Sequence, residues 1–182
     1  MKNKFLKLVP LVVLFLIFSG CSLENFFDIN SSIESPMNMH EQKNILNCVK
    51  DYMQEDFSFK YALYKGKYHS CIVGNFEASD LQGESFALFF CSESSSLNKI
   101  HILFLKNEDG KWNVFKDVKH LAGDIEKVYI QDVDEDGNNE FAFILKGLDK
   151  KRDNVYTYRY SNGNIEKINI SQEFFNNFKD ND

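Results

Sequence analysis

The chain has 182 residues, is 43% hydrophobic and 15% aromatic, and carries a formal net charge of −6 at pH 7. This length suits one globular domain with a sizeable core, and 18 Phe and 8 Tyr beside only 2 Pro favour a β-rich fold with aromatic packing. The acidic balance argues against a nucleic-acid partner, which would need clustered lysine and arginine.

Residues 1–20 have the pattern of an export signal. Three lysines precede the apolar run LVPLVVLFLIF, which is too short to span a bilayer comfortably. Ser19 and Gly20 stand directly before Cys21, so FSGC resembles the lipobox of bacterial lipoproteins, in which the signal is cut and the cysteine is acylated. An ordinary signal peptide or an uncleaved anchor is the alternative. The resemblance predicts a lipid-anchored protein of the bacterial cell envelope and leaves the membrane leaflet open.

Cleavage before Cys21 would remove three lysines and no acid, which takes the net charge from −6 to −9. So acidic a chain is a poor peripheral ligand for anionic lipid, and the membrane contact is therefore expected through the acyl group of Cys21. Residues 21–34 are polar and without periodicity, which indicates a flexible tether. Residues 35–182 are expected to form a single β-rich domain.

Three further cysteines, Cys48, Cys71 and Cys91, follow the lipidation site. Cys71 and Cys91 lie on segments that suit antiparallel neighbours, so a cross-strand disulfide is one possibility. The odd number and low density of cysteines favour the other, buried free thiols.

The domain is expected to begin with an amphipathic helix over residues 38–54. Its apolar residues repeat at i, i+3 and i+4, which makes one stripe that docks on the body: Ile45, Leu46, Val49, Tyr52 and Met53. A short terminal helix is predicted for SQEFFNNFK, residues 171–179.

Strand signals fill the chain between these helices. Nine short segments are aromatic or β-branched and bounded by turn residues: FKYALYK, YHSCIVGNF, FALFF, IHILFL, WNVFKDV, KVYIQDV, FAFIL, NVYTYRY and IEKINI. Asp109-Gly110 and Asn162-Gly163 are dipeptides typical of tight hairpin turns.

The strands contain an internal repeat, with units at about residues 68–118 and 125–170. FALFF at Phe86 matches FAFIL at Phe141, and the Asp-Gly turn matches the Asn-Gly turn. Each unit is predicted to be a four-stranded antiparallel, blade-like sheet of the kind found in propellers. Two blades cannot close a propeller, so they must be packed by the helix, by each other or by a partner chain.

An acidic loop, QDVDEDGNNEFAF, follows the first strand of the second unit. Asp132, Asp134 and Asp136 alternate, so their carboxylates are expected to converge, with Glu140 as the last ligand. Ca²⁺ prefers six to eight oxygen ligands, which the backbone carbonyl of Asn138 and waters could complete, and Gly137 permits the sharp turn. No lysine or arginine lies between residues 128 and 145 to neutralise this charge. The alternative is an acidic turn whose carboxylates face solvent and bind no ion.

The loop differs from an EF-hand because Phe143 occupies the position of the closing glutamate and because its flanks read as strands. The matching loop of the first unit, residues 75–85, is eroded. Asn75, Glu77 and Ser79 hold its alternating positions and Glu84 or Ser85 lies near its end, so no second ion is expected.

A family resemblance spans roughly residues 68–168. It rests on four segments: IVGNFEASDLQGESFALFF, KIHILFLKNEDGKW, IEKVYIQDVDEDGNNEFAF and NVYTYRYSNGNIEKI. They resemble the FG-GAP or VCBS repeats of integrin-α-type propellers, and the layout is similar to small bacterial lipoproteins that carry two such units. The resemblance implies one structural Ca²⁺ held by Asp132, Asp134, Asp136, Asn138 and Glu140. It also implies an interaction surface, but no substrate.

Catalysis is not expected from this sequence. Its four histidines lack zinc-ligand spacing, and no phosphate loop or nucleophile elbow occurs. The leading hypothesis is a Ca²⁺-stabilised, lipid-anchored binding module with a protein or envelope-polymer partner. A structural subunit of an envelope complex and, less favoured, a secreted hydrolase with Asp or Glu chemistry are the alternatives.

Overall fold

The computed structural model describes residues 39–54, 56–76, 84–132, 135–149 and 153–169. Several predicted features lie outside these ranges: the export signal, Cys21, the tether, Asp134, the central part of the first acidic loop and the terminal helix. All described residues belong to one compact unit, Ser32–Asp182.

The described residues are mainly β. The single helix among them, α1, spans Met39–Met53, inside the range 38–54 predicted from the sequence. The strands are β1 (Phe57–Phe59), β2 (Ala62–Tyr64), β3 (Lys67–His69), β4 (Cys71–Asn75), β5 (Ser85–Glu93), β6 (Ser96–Glu108), β7 (Lys111–Leu121), β8 (Asp124–Gln131), β9 (Glu140–Lys146), β10 (Asp153–Ser161) and β11 (Asn164–Ile168).

Two sheets each contain a four-stranded antiparallel meander. Sheet 1 runs β4-β5-β6-β7, with β1 paired to the same side of β5 as β4. Sheet 2 runs β11-β10-β9-β8 and continues through β2 to β3. The pairing of β2 with β8 is parallel, through Leu63 and Lys127, whereas the other strand pairs of the described residues are antiparallel. The prediction of a mainly antiparallel β fold is therefore confirmed.

Two segments predicted as single strands are each divided between the sheets. FKYALYK contains the end of β1 in sheet 1 and all of β2 in sheet 2, and YHSCIVGNF contains the end of β3 in sheet 2 and all of β4 in sheet 1. The chain crosses between layers at residues 60–61 and again at Ser70. Alternation of side chains records which residues share a face, but it carries no signal for a change of sheet.

The main core lies between the two sheets. Phe141 of sheet 2 meets Phe86 and Phe104 of sheet 1 edge-to-face, with ring centroids 5.1 and 5.2 Å apart. All three rings are at most 1% exposed. Burying three such rings contributes roughly 1.5–3 kcal/mol each. The two units are thus packed against each other, one of the three arrangements that the sequence allowed.

A second apolar layer lies between α1 and the outer face of sheet 1. Ile45 and Val49 of the predicted stripe are 2% and 0% exposed. Tyr52 departs from that prediction, since its side chain is 45% exposed and its hydroxyl donates to Asp117 Oδ2 of β7 at 3.1 Å. The phenol at the end of the stripe therefore connects the helix to the sheet by a hydrogen bond.

The hairpin turns follow the predicted chemistry. Asp109 and Gly110 have φ of 53° and 81°, and Asn162 and Gly163 have φ of 50° and 71°. Two consecutive positive φ values define the type I′ turn, which matches the twist of the flanking strands. The prediction of tight hairpin turns at these dipeptides is confirmed.

Candidate metal-binding loop and surrounding polar clusters

The predicted metal loop connects two neighbouring antiparallel strands. Gln131 ends β8 opposite Glu140, which begins β9. The flanks of the loop are therefore strands, as the sequence indicated, and the segment is not an EF-hand.

Asp132 holds the described part of this loop in a turned conformation. Its Oδ1 accepts a hydrogen bond from the backbone N–H of Asp136 at 3.1 Å, and its Oδ2 accepts from that of Gly137 at 2.9 Å. Gly137 has φ of 91°, so glycine relieves strain where the chain reverses. Glu135, with φ of 61°, is exposed.

Asp136 and Asn138 lie next to each other on the same loop. Asp136 Oδ1 accepts from the backbone N–H of Asn138 at 2.8 Å and from its side-chain amide at 3.2 Å. Each carboxylate oxygen of Asp132 accepts one hydrogen bond and therefore retains further lone-pair capacity. Asp132, Asp136 and Asn138 thus lie on one turned loop and carry oxygen atoms, the ligand type that suits a hard cation.

Glu140, the last predicted ligand, has a cationic partner in the protein. Its side chain is 0% exposed, and its Oε1 accepts from Arg159 Nε at 2.8 Å. Arg159 is its register partner on β10. The absence of lysine and arginine between residues 128 and 145 said nothing about Arg159, which comes from the next strand. An ion at this loop would have to share Glu140 with that arginine.

The described residues, which do not include Asp134, contain no group of three or more His, Cys, Asp or Glu side chains arranged to hold a metal ion. The groups that the loop offers to a metal ion are oxygens. The carboxylates of Asp132 and Asp136 are held in place by backbone N–H groups of the loop itself. This donor set fits Ca²⁺ and does not suit a soft metal.

The loops of the two repeat units are joined, a relationship that the sequence did not reveal. The backbone N–H of Asn139 donates to the carbonyl of Phe76 at 2.8 Å, and its side-chain amide donates to the carbonyl of Asn75 at 3.0 Å. Ser85 Oγ donates to Asn75 Oδ1 at 3.4 Å within the first loop. Two of the residues assigned to the eroded loop therefore serve to hold it together.

Glu84 of the first loop makes protein contacts with its carboxylate. It forms an ion pair with Lys106 at 2.8 Å and accepts a short hydrogen bond from the hydroxyl of Tyr160. The bond to Lys106, followed by that to Tyr160, lowers the pKa of this carboxyl. Both oxygens thus have partners in sheet 1 or sheet 2, which gives Glu84 a structural role.

A buried cluster around His101 was also missed by sequence reasoning. Its Nδ1 lies 3.0 Å from Asp117 Oδ2, and its Nε2 lies 3.4 Å from Glu93 Oε1. These contacts link β5, β6 and β7 on the face that α1 covers. Alternation along β6 predicts that His101 lies on this face, but no local sequence motif indicates that Glu93 and Asp117 contact it.

Cys91 is the register partner of His101, so a thiol, an imidazole and a carboxylate follow one another across the sheet. The thiol is 0% exposed, and burial, with a smaller contribution from Asp117, raises its pKa to about 12. A buried thiol with so high a pKa supplies neither thiolate nor access to a substrate. Among the described cysteines, Cys48, Cys71 and Cys91 are all free, and Cys71 pairs with Phe89 rather than with Cys91.

A second histidine joins the two sheets. His120 Nε2 of β7 lies 3.1 Å from the hydroxyl of Tyr158 of β10. Burial, with a smaller effect of Lys167, lowers the pKa of His120 to about 4, and burial raises the pKa of Tyr158 to about 12. Both groups are therefore uncharged near neutral pH, as suits an inter-sheet hydrogen bond.

Within the described ranges, no helix has the length and apolarity to cross a membrane. Comparison with protein-family models, with curated proteins and with solved structures finds no match.

Proposed function

We propose that this protein is a lipid-anchored component of the bacterial cell envelope that acts as a Ca²⁺-stabilised binding module. Acylation of Cys21 would provide the membrane anchor. The body would be two blade-like units of the FG-GAP or VCBS kind, preceded by the amphipathic helix α1. The stacked four-stranded meanders are compatible with this architecture.

The observation that carries the metal proposal is the way Asp132 organises its loop. Two hydrogen bonds to backbone N–H groups hold this carboxylate over the turn that also contains Asp136 and Asn138. Asp132, Asp134, Asp136, Asn138 and Glu140 would hold the ion. When bound, Ca²⁺ would neutralise the clustered carboxylates and so stabilise the connection between β8 and β9.

A thermal melt of residues 22–182, which contain the entire compact unit Ser32–Asp182, tests the metal site. The melt is run in EDTA and across a Ca²⁺ titration, since binding only to the folded state stabilises it by about 2.7 kcal/mol at one hundred times Kd. Asp134→Asn and Asp136→Asn should abolish the rise in Tm. Asp109→Asn makes the same change in the β6–β7 turn and serves as the matched control. An unchanged wild-type Tm at millimolar Ca²⁺ would refute the site.

The lipid anchor has its own test. Cells that express the full chain are fed a clickable palmitate analogue, and the label is followed in wild type and in Cys21→Ser. Label that disappears with Cys21 supports the anchor. Equal labelling of both proteins, or none in either, contradicts it.

A structural subunit of an envelope complex is the second candidate, because sheet 1 ends in a long strand. Lys111–Leu121 pairs with β6 and with no further strand of the described residues. Unpaired N–H and C=O groups on such an edge can add a strand from another chain. Sedimentation velocity distinguishes the two, since a strictly monomeric species over the accessible concentration range would remove this alternative.

A further inference from the structure

A cleft with a volume of about 530 Å³ lies between helix α1 and the start of strand β7. This volume falls within the range of small-molecule sites. The polar groups that line it are Asn44, Asn47 and Asp51 from the helix and Lys111 and Asn113 from the strand, and Trp112 lies among them.

The helix presents these polar groups separately from the stripe that docks it. Asn44, Asn47 and Asp51 are spaced three and four residues apart, so they lie on one face of α1. The docking stripe, which includes Ile45 and Val49, is buried against sheet 1. The polar row therefore borders the cleft without being needed for helix packing.

The floor of the cleft contains apolar side chains. Trp112 is 3% exposed, and Cys48 of α1 and Val114 of β7 line the cleft beside it. Tyr52, at the rim, is held by its hydrogen bond to Asp117. A ligand group in contact with this floor would meet a largely buried indole, a thiol and a valine.

The walls carry balanced charge and an excess of amides. Asp51 of α1 and Lys111 of β7 both line the cleft, so one negative and one positive group flank it from opposite elements. Three asparagine side chains add both donors and acceptors. A strongly charged ligand has no net attraction here, whereas an uncharged ligand with amide and hydroxyl groups matches the lining.

We propose that this cleft binds a saccharide that carries an N-acetyl group. The acetamido N–H and C=O complement the asparagine amides, its methyl group fits the apolar floor, and the sugar hydroxyls suit Asp51 and Lys111. This inference deepens the proposed binding role by naming a site and a ligand class. It depends on neither the metal nor the acyl anchor.

The chain contains a single tryptophan, which gives the experiment a specific reporter. In ¹⁵N-labelled residues 22–182, only Trp112 produces an indole N–H signal. N-acetylglucosamine is titrated in the presence of Ca²⁺, and glucose, which lacks the acetamido group, is the matched control ligand. We expect a saturable shift of the indole signal with a Kd of about 1 mM, as suits a small ligand with few contacts. Glucose should shift it at least about tenfold more weakly.

Variants locate the binding. Asn47→Ala and Asn113→Ala should each weaken N-acetylglucosamine binding about fivefold, as expected for one lost hydrogen bond. Asn154→Ala, at an exposed position of β10 on sheet 2, should leave the Kd unchanged. The proposal would be overturned if the indole signal did not shift at an N-acetylglucosamine concentration of about 50 times the expected Kd. Equal responses to glucose and N-acetylglucosamine would also overturn it. A shift of the indole signal with glycine but not with N-acetylglucosamine would also overturn the proposal. It would indicate that Asp51 and Lys111 bind a zwitterion.

A failed titration leaves the Ca²⁺ melt and the palmitate label unaffected. Conversely, binding to residues 22–182, which lack Cys21, that persists in EDTA would establish the cleft even if both of those tests failed.

Discussion

The side-chain amide of Asn139 donates to the backbone carbonyl of Asn75 at 3.0 Å, and its backbone N–H donates to the carbonyl of Phe76 at 2.8 Å. Asn139 lies at the end of the acidic loop of sheet 2, and Asn75 lies at the end of β4 in sheet 1. One residue thus joins corresponding loops of the two repeat units. The acidic loop is therefore supported by the other unit as well as by its own strands.

Asn139→Ala should lower the free energy of unfolding by about 1–2 kcal/mol, because it leaves the carbonyl of Asn75 without its amide donor. Urea unfolding followed by far-UV circular dichroism measures the change. Asn154→Ala, at an exposed site, is the control and should alter stability by less than about 0.5 kcal/mol. Equal effects of the two substitutions would show that the Asn139 contact contributes nothing specific.

The buried pair of Glu140 and Arg159 predicts an interaction between two substitutions. Arg159→Gln should destabilise by about 2–3 kcal/mol, less than a fully buried pair, because the arginine side chain is 26% exposed. Adding Glu140→Gln should recover part of this loss, since it removes the uncompensated carboxylate. A double-mutant cycle in EDTA measures the coupling, and additive effects would contradict it.

The same pair connects to the proposed ion. If Glu140 is a ligand, Ca²⁺ should restore more stability to Arg159→Gln than to wild type, because the cation replaces the missing guanidinium. The comparison is the Ca²⁺-induced rise in Tm of the two proteins. A smaller rise in the variant would show that the ion does not involve Glu140.

Gly74 lies where a side chain would collide with the core. A Cβ at this position would be 3.0 Å from Cζ of Phe86, whose ring is 1% exposed and packs on Phe141. Gly74→Ala should therefore destabilise by about 1–3 kcal/mol through overpacking. The double variant Gly74→Ala/Phe86→Leu should lose less free energy of unfolding than the sum of the losses in the two single variants. Strict additivity in urea unfolding would contradict the collision.

His120 predicts a pH dependence with a defined sign. Its pKa falls from 6.5 to about 4 in the folded protein, so between these pH values the unfolded chain binds more protons. The contribution of His120 to the free energy of unfolding should be fully present above pH 6.5, and it should decrease as the pH falls toward 4. The ring is only partly buried, so we expect a loss of about 1–2 kcal/mol.

His120→Gln, which retains a hydrogen-bonding group toward Tyr158, should flatten this pH profile. His40→Gln, at an exposed position of α1, is the matched control and should retain the wild-type slope. The measurement is urea unfolding at several pH values. Wild type and His120→Gln with parallel profiles would exclude His120 as the source of the slope.

The thiols should differ in their reactivity. Burial raises the pKa of Cys71 and of Cys91 to about 12, and both side chains are at most 2% exposed, whereas Cys48 is partly exposed at the cleft. In native residues 22–182, which lack Cys21, Ellman's reagent should label Cys48 and should reach the other two only after unfolding. Cys48→Ser should abolish the native reaction. Rapid native labelling of Cys71 or Cys91 would show that the strands open locally.

Several features followed directly from local sequence because local forces produce them. The Asn162-Gly163 turn requires positive φ at two successive residues, and few dipeptides other than Asn-Gly and Asp-Gly accept this. The spacing of Ile45 and Val49 reflects the helical period, and the match between FALFF and FAFIL reflects the strand period. The mainly β fold and the strand-flanked acidic loop were therefore predictable.

Other features depended on groups that are distant in the chain. Neither the crossings of residues 60–61 and Ser70 between sheets nor the parallel pairing of Leu63 with Lys127 has a periodic signature. Glu140 meets Arg159 from 19 positions away, and Asn139 meets Asn75 from 64 positions away. Periodicity determined which face each side chain occupies. Only the stacking of the two sheets decided which carboxylates have partners in the protein, because ion pairs and hydrogen bonds depend on distances that sequence separation does not encode.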